Sequence, residues 1–223
     1  MAMGDVIDLQ LRRARRVHAP IRQSSAYYFD VSCPMSYLAS ERVERALGQV
    51  DWIAVDASAV VDPGAAPECG LGAPSLDHAR AQAELHARAL RLPLVWPERF
   101  SEGGARARRA ASFACELGAG APFALAAGRL AYCGGFDLDD PETLAEAAAA
   151  SGVPLTPCLE AAAEHWRDDE LREIGRSLWA QGVRELPAVA LGEHWFGGVT
   201  GLMAAGARLR DVCAARQPLA PVG

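Results

Sequence analysis

Lysine is absent: all 22 basic residues of this 223-residue chain are arginine. A lysine Schiff base and a lysine general base are excluded with it. Closely spaced metal ligands are lacking too. The six cysteines, at 33, 69, 115, 133, 158 and 213, include no C-x-x-C pair, and the five histidines stand singly. Zinc needs ligands at tight spacing, so no metal is expected. Positive charge does not prevail: the net charge is −6, which removes any global pull toward nucleic acid or anionic membrane. No hydrophobic run is long enough to span a bilayer, and none of signal-peptide type follows the basic start. Sparse cysteines in a chain that is 51% hydrophobic, and so able to bury a full core, do not make a disulfide scaffold. The cytoplasm is the expected compartment.

What is present begins with Tyr27-Tyr28-Phe29-Asp30-Val31-Ser32-Cys33-Pro34-Met35-Ser36-Tyr37-Leu38-Ala39. The first five residues are aromatic and β-branched, as in a short buried strand. Pro34 suits the first position of a helix, where its missing N–H costs nothing. Leu38, Val43, Ala46 and Leu47 recur at helical spacing and Gly48 supplies a stop. Cys33 then sits at the positive end of a helix, a setting that favours thiolate and nucleophilic reactivity. A buried structural cysteine is the equal alternative.

Residues 50–61 read as a second strand, completing a βαβ unit with parallel pairing. Residues 62–74, rich in Pro, Gly and Ala, are a loop. Helices are expected over 75–92, 105–117, 125–130, 141–151 and 157–181, the fourth opened by Asp140-Pro141 and the fifth by Thr156-Pro157. Residues 186–191 read as a strand entered through Pro187, Gly192-Glu193 as a turn, 194–196 as a returning edge strand, and 202–214 as a closing helix. Arg106, Arg108 and Arg109 could meet an anionic substrate, though solvated helix arginines are the commoner case. Asp168, Asp169 and Glu170 read as an exposed helix face. Arg12, Arg13, Arg15, Arg16 and Arg22 make the first 25 residues a basic extension.

The order βαβ, helical block, ββα, with a cysteine at the first helix and a proline opening the third strand, resembles a thioredoxin fold of the DsbA-like kind. The match narrows. Residues 30–39 resemble the Asp-x-x-Ser-Pro-Tyr-x-Tyr-Leu-Ala signature of 2-hydroxychromene-2-carboxylate isomerases and kappa-class glutathione transferases. Leu92-Pro93-Leu94-Val95-Trp96-Pro97-Glu98-Arg99-Phe100 resembles their Leu-Pro-Phe-x-Trp-Pro-x-x-Phe stretch. Gly182-Val183-Arg184-Glu185-Leu186-Pro187 and Trp195-Phe196-Gly197 resemble two further segments. The resemblance implies an α/β thioredoxin-like domain over 26–65 and 181–215, an all-helical insertion over 75–180, and a tail over 216–223. It implies a cis Leu186–Pro187 bond facing the nucleophile, and glutathione as co-substrate with a small aromatic or conjugated molecule. Cys33 and Ser36 become the candidate catalytic residues. Ser32, Pro34, Leu186, Pro187, Gly198, Thr200 and Trp96 become candidates for holding glutathione or substrate, with Phe100 and Trp179 as further platforms. A homodimer is one assembly this family plan allows.

Several positions depart from that plan. The isomerases and transferases carry serine where this chain has Cys33, and the DsbA-like oxidoreductases carry a second cysteine where it has Ser36. Gly198-Val199-Thr200 lacks the carboxylate with which the family holds the γ-glutamyl end. Glu185 replaces a glycine and is expected to bring a carboxylate near the thiol, raising its pKa. Three functions stay open: a glutathione-dependent isomerase or transferase, a monothiol disulfide exchanger using Cys33, and a non-catalytic binding module.

Overall fold

Aromatic residues seed the sheet. In the computed structural model, which describes residues 25–60, 76–100 and 103–216 (backbone only from 213), strand β1 (Ala26–Phe29) buries Tyr27 and Phe29. The ring of Trp52, on β2 (Asp51–Ala54), meets both edge-on, with centroids 4.6 and 5.4 Å away. The expected basic extension, the 62–74 loop and the tail after Arg216 lie outside the described residues.

The strand order is β2-β1-β3-β4, with β3 at Ala188–Leu191 and β4 at His194–Gly197. β1 and β2 run parallel; the other pairs are antiparallel. Parallel neighbours need a crossover, and helix α1 (Pro34–Leu47) supplies it. Its Leu38, Val43 and Leu47 are buried, and Gly48 closes it at φ 71°. Tyr28 pairs with Ala188, and Ala188 with Gly197. The chain therefore leaves β1 at Asp30, enters β3 through Pro187 and leaves β4 at Gly198, all at one end of the sheet.

The helices are α2 (Leu76–Leu90), α3 (Ala105–Glu116), α4 (Gly120–Tyr132), α5 (Pro141–Ser151), α6 (Leu155–Ala163), α7 (Trp166–Ala180) and α8 (Gly198–Arg216). Three expectations are corrected. The second strand stops at Ala54 rather than 61, because Asp56 accepts hydrogen bonds from the backbone N–H and hydroxyl of Ser58 and folds the chain into a 3₁₀ turn, Ala57–Ala59. Such local side-chain bonds compete with a ladder. The helix expected over 125–130 begins at Gly120. The single helix over 157–181 is two, broken at Glu164, whose ψ of 92° is extended; no glycine or proline marks the break.

One apolar core joins Tyr27, Phe29 and Val43 to Phe113, Phe123 and Leu144, so the helical block shares the sheet's interior. Replacing a side chain such as Phe29 by alanine would cost about 3–5 kcal/mol. A smaller cluster gathers Val55, Val60, Leu178, Val183 and Leu186. Among the described residues no helix is long and apolar enough to cross a membrane, and no three metal-ligating side chains converge.

Candidate active site

Cys33 is the N-cap of α1, half-buried, with extended φ and ψ of −96° and 121°. Its N–H donates to the Asp30 carbonyl at 3.0 Å and its carbonyl accepts from Tyr37 N at 3.1 Å. The Cys33 side chain makes no capping hydrogen bond, but the nearby N–H groups of Met35 and Ser36 and the Ser36 hydroxyl act to lower the thiol pKa. Ser36 is held by the Asp30 N–H, which donates to its Oγ at 3.2 Å. These donors favour a thiolate, as the sequence suggests. They do not prevail: burial pushes the thiol pKa up and the Asp30 carboxylate pushes it further. Burial and Asp30 thus work against the thiolate at Cys33.

Asp30 organises the site from the end of β1. Its Oδ1 accepts from Ser32 N at 2.8 Å and Ser32 Oγ at 2.6 Å, and its Oδ2 accepts from Ala57 N at 2.9 Å. Arg108 of α3 places Nη1 2.9 Å from Ser32 Oγ and 3.9 Å from Asp30 Oδ2. Burial nevertheless raises the Asp30 pKa, outweighing Arg108 and the hydrogen bonds. The close approach of α3 requires Gly104: at φ 100°, a Cβ there would lie 2.5 Å from the Ser32 Cβ. Tyr132 of α4 fixes the same loop by donating to the Ser32 carbonyl.

These groups wall a cavity of about 350 Å³, lined by Asp30, Ser32, Cys33, Asp56, Phe100 and Arg108 among others. Of the residues the sequence singled out, Ser32 and Cys33 line it, while Pro34 and Ser36 stand buried in the first turn beneath them. Trp96 stands behind Phe100, their rings 4.7 Å apart, and its indole N–H donates to Glu84. Trp179 carries the Arg184 guanidinium, 3.9 Å from its ring. The Leu186–Pro187 bond is cis. Leu186 is buried in the smaller cluster, and the Pro187 carbonyl accepts from Gly198 N at 2.7 Å. Thr200 is exposed on α8.

Two charged groups are reassigned. Glu185 lies over Gly198, where a Cβ would come within 2.5 Å of its Oε1; the carboxylate acting on Cys33 is Asp30. Arg108 and Arg109 are not solvated helix arginines: the first lines the cavity and the second is 5% exposed. Asp168 is likewise no free surface acid, since Arg109 grips both its oxygens at 2.8 and 2.7 Å. A helix pattern assigns faces only within its own helix, and the partner that folds onto Arg108 lies 76 residues away.

A comparison with curated protein sequences returned no match. Solved structures do match. A 2-hydroxychromene-2-carboxylate isomerase superimposes with a TM-score of 0.66 at 17% identity, covering 86% of this chain and 96% of that one. A probable DsbA oxidoreductase from Streptomyces coelicolor gives 0.60 at 22%, covering 89% and 93%. At these identities the likeness is one of fold, over most of each chain. The model of the DSBA-like thioredoxin domain matches residues 26–208, and the chain is therefore a member of that family.

Proposed function

We propose that the protein is a glutathione-dependent isomerase or transferase acting on a small aromatic or conjugated molecule beside Cys33. One observation carries the reading: a half-buried thiol, its pKa raised by burial and by Asp30, opens on a cavity of about 350 Å³ whose described lining includes the Phe100 ring and the Arg108 cation. Cavities of that size suit a small organic ligand. A neutral thiol can donate a weak hydrogen bond, the part a serine hydroxyl plays at this position in the resembling isomerases. Glutathione would supply the nucleophile: its sulfur adds to a conjugated carbon, the electron pair moves to the carbonyl oxygen, the former double bond rotates, and collapse expels the sulfur. Nothing is oxidised or reduced. The α1 N–H groups would steady negative charge on sulfur.

The test is turnover of conjugated and aromatic acids, 2-hydroxychromene-2-carboxylate included, with and without glutathione. Cys33→Ala is expected to lose about a hundredfold or more, while Cys33→Ser keeps part of the activity. Equal rates in Cys33→Ala and the parent would overturn the proposal.

The place of Cys33 at the N-terminus of α1, lining the cavity, favours a second reading, monothiol exchange. Here Cys33 attacks the glutathione sulfur of a mixed disulfide, the other partner leaves as thiol, and free glutathione, or another cysteine brought near, then displaces the Cys33 sulfur, free glutathione doing so with release of oxidised glutathione. Intact mass after incubation with oxidised glutathione separates the two, since only the exchanger acquires a reducible adduct at Cys33 during its cycle.

A further inference from the structure

Arg108 has more hydrogen-bonding capacity than its surroundings use. A guanidinium carries five N–H donors in a fixed fork. Among the described residues, only Nη1 of Arg108 has protein acceptors, Ser32 Oγ and, at 3.9 Å, Asp30. Its Nε is shut off from water with no acceptor at all. Two other arginines share that feature, but Arg42 donates to the Leu90 carbonyl from the α1–α2 contact and Arg80 rests over the Trp96 and Phe100 rings. Neither lines the cavity that holds Cys33; Arg108 does.

The carboxylates on the same wall are already engaged. Asp30 accepts three hydrogen bonds from Ser32 and Ala57. Asp56 accepts two from Ser58 and lies 3.7 Å from Arg172. Nε is closed off from solvent, so what this lining residue can still offer a ligand is the Nη1 and Nη2 end of its fork, which can take a planar carboxylate through two parallel bonds. We propose that Arg108 is the docking residue for a carboxylate carried by the electrophilic substrate, holding that substrate's reactive carbon within reach of the sulfur at Cys33. This rests on the cavity being the substrate site, as in the function proposed above, and it makes Arg108 the residue that selects acids over their neutral analogues.

The test uses alkylation of Cys33 in the whole protein, with no dependence on turnover. Iodoacetate and iodoacetamide differ only in carboxylate against amide. With each, the Cys33 sulfur forms a bond to carbon, iodide leaves and the thiol proton goes to solvent. The iodoacetate-to-iodoacetamide rate ratio at Cys33, followed by peptide mass, is expected to exceed that of a small free thiol by about tenfold. In Arg108→Gln it should fall to the free-thiol ratio, and in Arg108→Lys part of the excess should remain. Raising salt should shrink the excess in the parent, which supplies the readout if Arg108→Gln does not fold. A parent ratio equal to that of a free thiol, or a ratio untouched by Arg108→Gln, overturns the proposal. If the ratio responds but no conjugated acid is turned over with glutathione, the anion site stands and the isomerase reading falls.

Discussion

Arg108 and Arg109 are neighbours on α3, yet they occupy opposite kinds of place. Arg109 uses four of its five donors: Asp168 takes two, the Ala162 carbonyl a third and His165 a fourth. Among the described residues Arg108 spends one nitrogen on the loop before Cys33, keeps Nε buried without an acceptor, and lines the cavity. Their acid partners diverge in the same sense. Asp168, gripped by Arg109 in hydrogen bonds, is held below the ordinary carboxylate pKa; Asp30, with Arg108 farther off and burial dominant, is raised. A well-paired arginine fixes helices to each other. An underused one is available to a ligand.

The largest consequence is for stability. Arg109→Ala strands Asp168 in a mostly buried place, and breaking such a pair costs about 3–5 kcal/mol. Arg108→Gln, which gives up one hydrogen bond to Ser32 and a longer, 3.9 Å ion pair with Asp30, should cost less, about 1–2 kcal/mol. Urea denaturation of the two variants measures the contrast; equal losses would mean that both arginines are structural.

A smaller effect concerns the thiol. Asp30 is the second contribution, after burial, to the raised pKa of Cys33. Asp30→Asn should therefore move the alkylation midpoint of Cys33 to lower pH, while a midpoint that does not move would leave burial as the whole cause. The smallest effect is in the acid limb of stability. The folded pKa of Asp168 lies below its ordinary 3.8, so its contribution is present above about pH 4 and is lost as pH falls through the folded value. Asp30 has the opposite sign, because its carboxylate penalises the fold above its raised pKa and the penalty lifts on acidification. Thermal melts between pH 2 and 7 should show a shallower acid limb in Asp168→Asn and a steeper one in Asp30→Asn.

Much of the fold was legible locally. Pro34, the 38/43/47 spacing and Gly48 mark α1 because each acts within one or two turns of its own backbone. Asp140 and Pro141 mark α5 for the same reason: the Asp140 side chain caps the Glu142 N–H two residues on. The β2 overrun was not legible, since Val55 and Val60 are apolar like strand residues and only the Asp56 side chain, bonded to Ser58, turns the chain away. Nor was the break at Glu164, where Arg167 bonds back to Glu164 and across to Glu116 on another helix.

The candidate site divides the same way. By itself the sequence determined that a cysteine would stand at the positive end of a helix and that no second thiol would follow at position 36, because both are matters of neighbouring residues. The tertiary structure alone decided that burial would raise the pKa of this thiol, that Asp30 rather than Glu185 would act on it, and that Arg108 rather than Arg109 would line its cavity. Burial and charge contacts depend on residues brought together from β1, the 3₁₀ turn and α3, and distance along the chain carries no record of them.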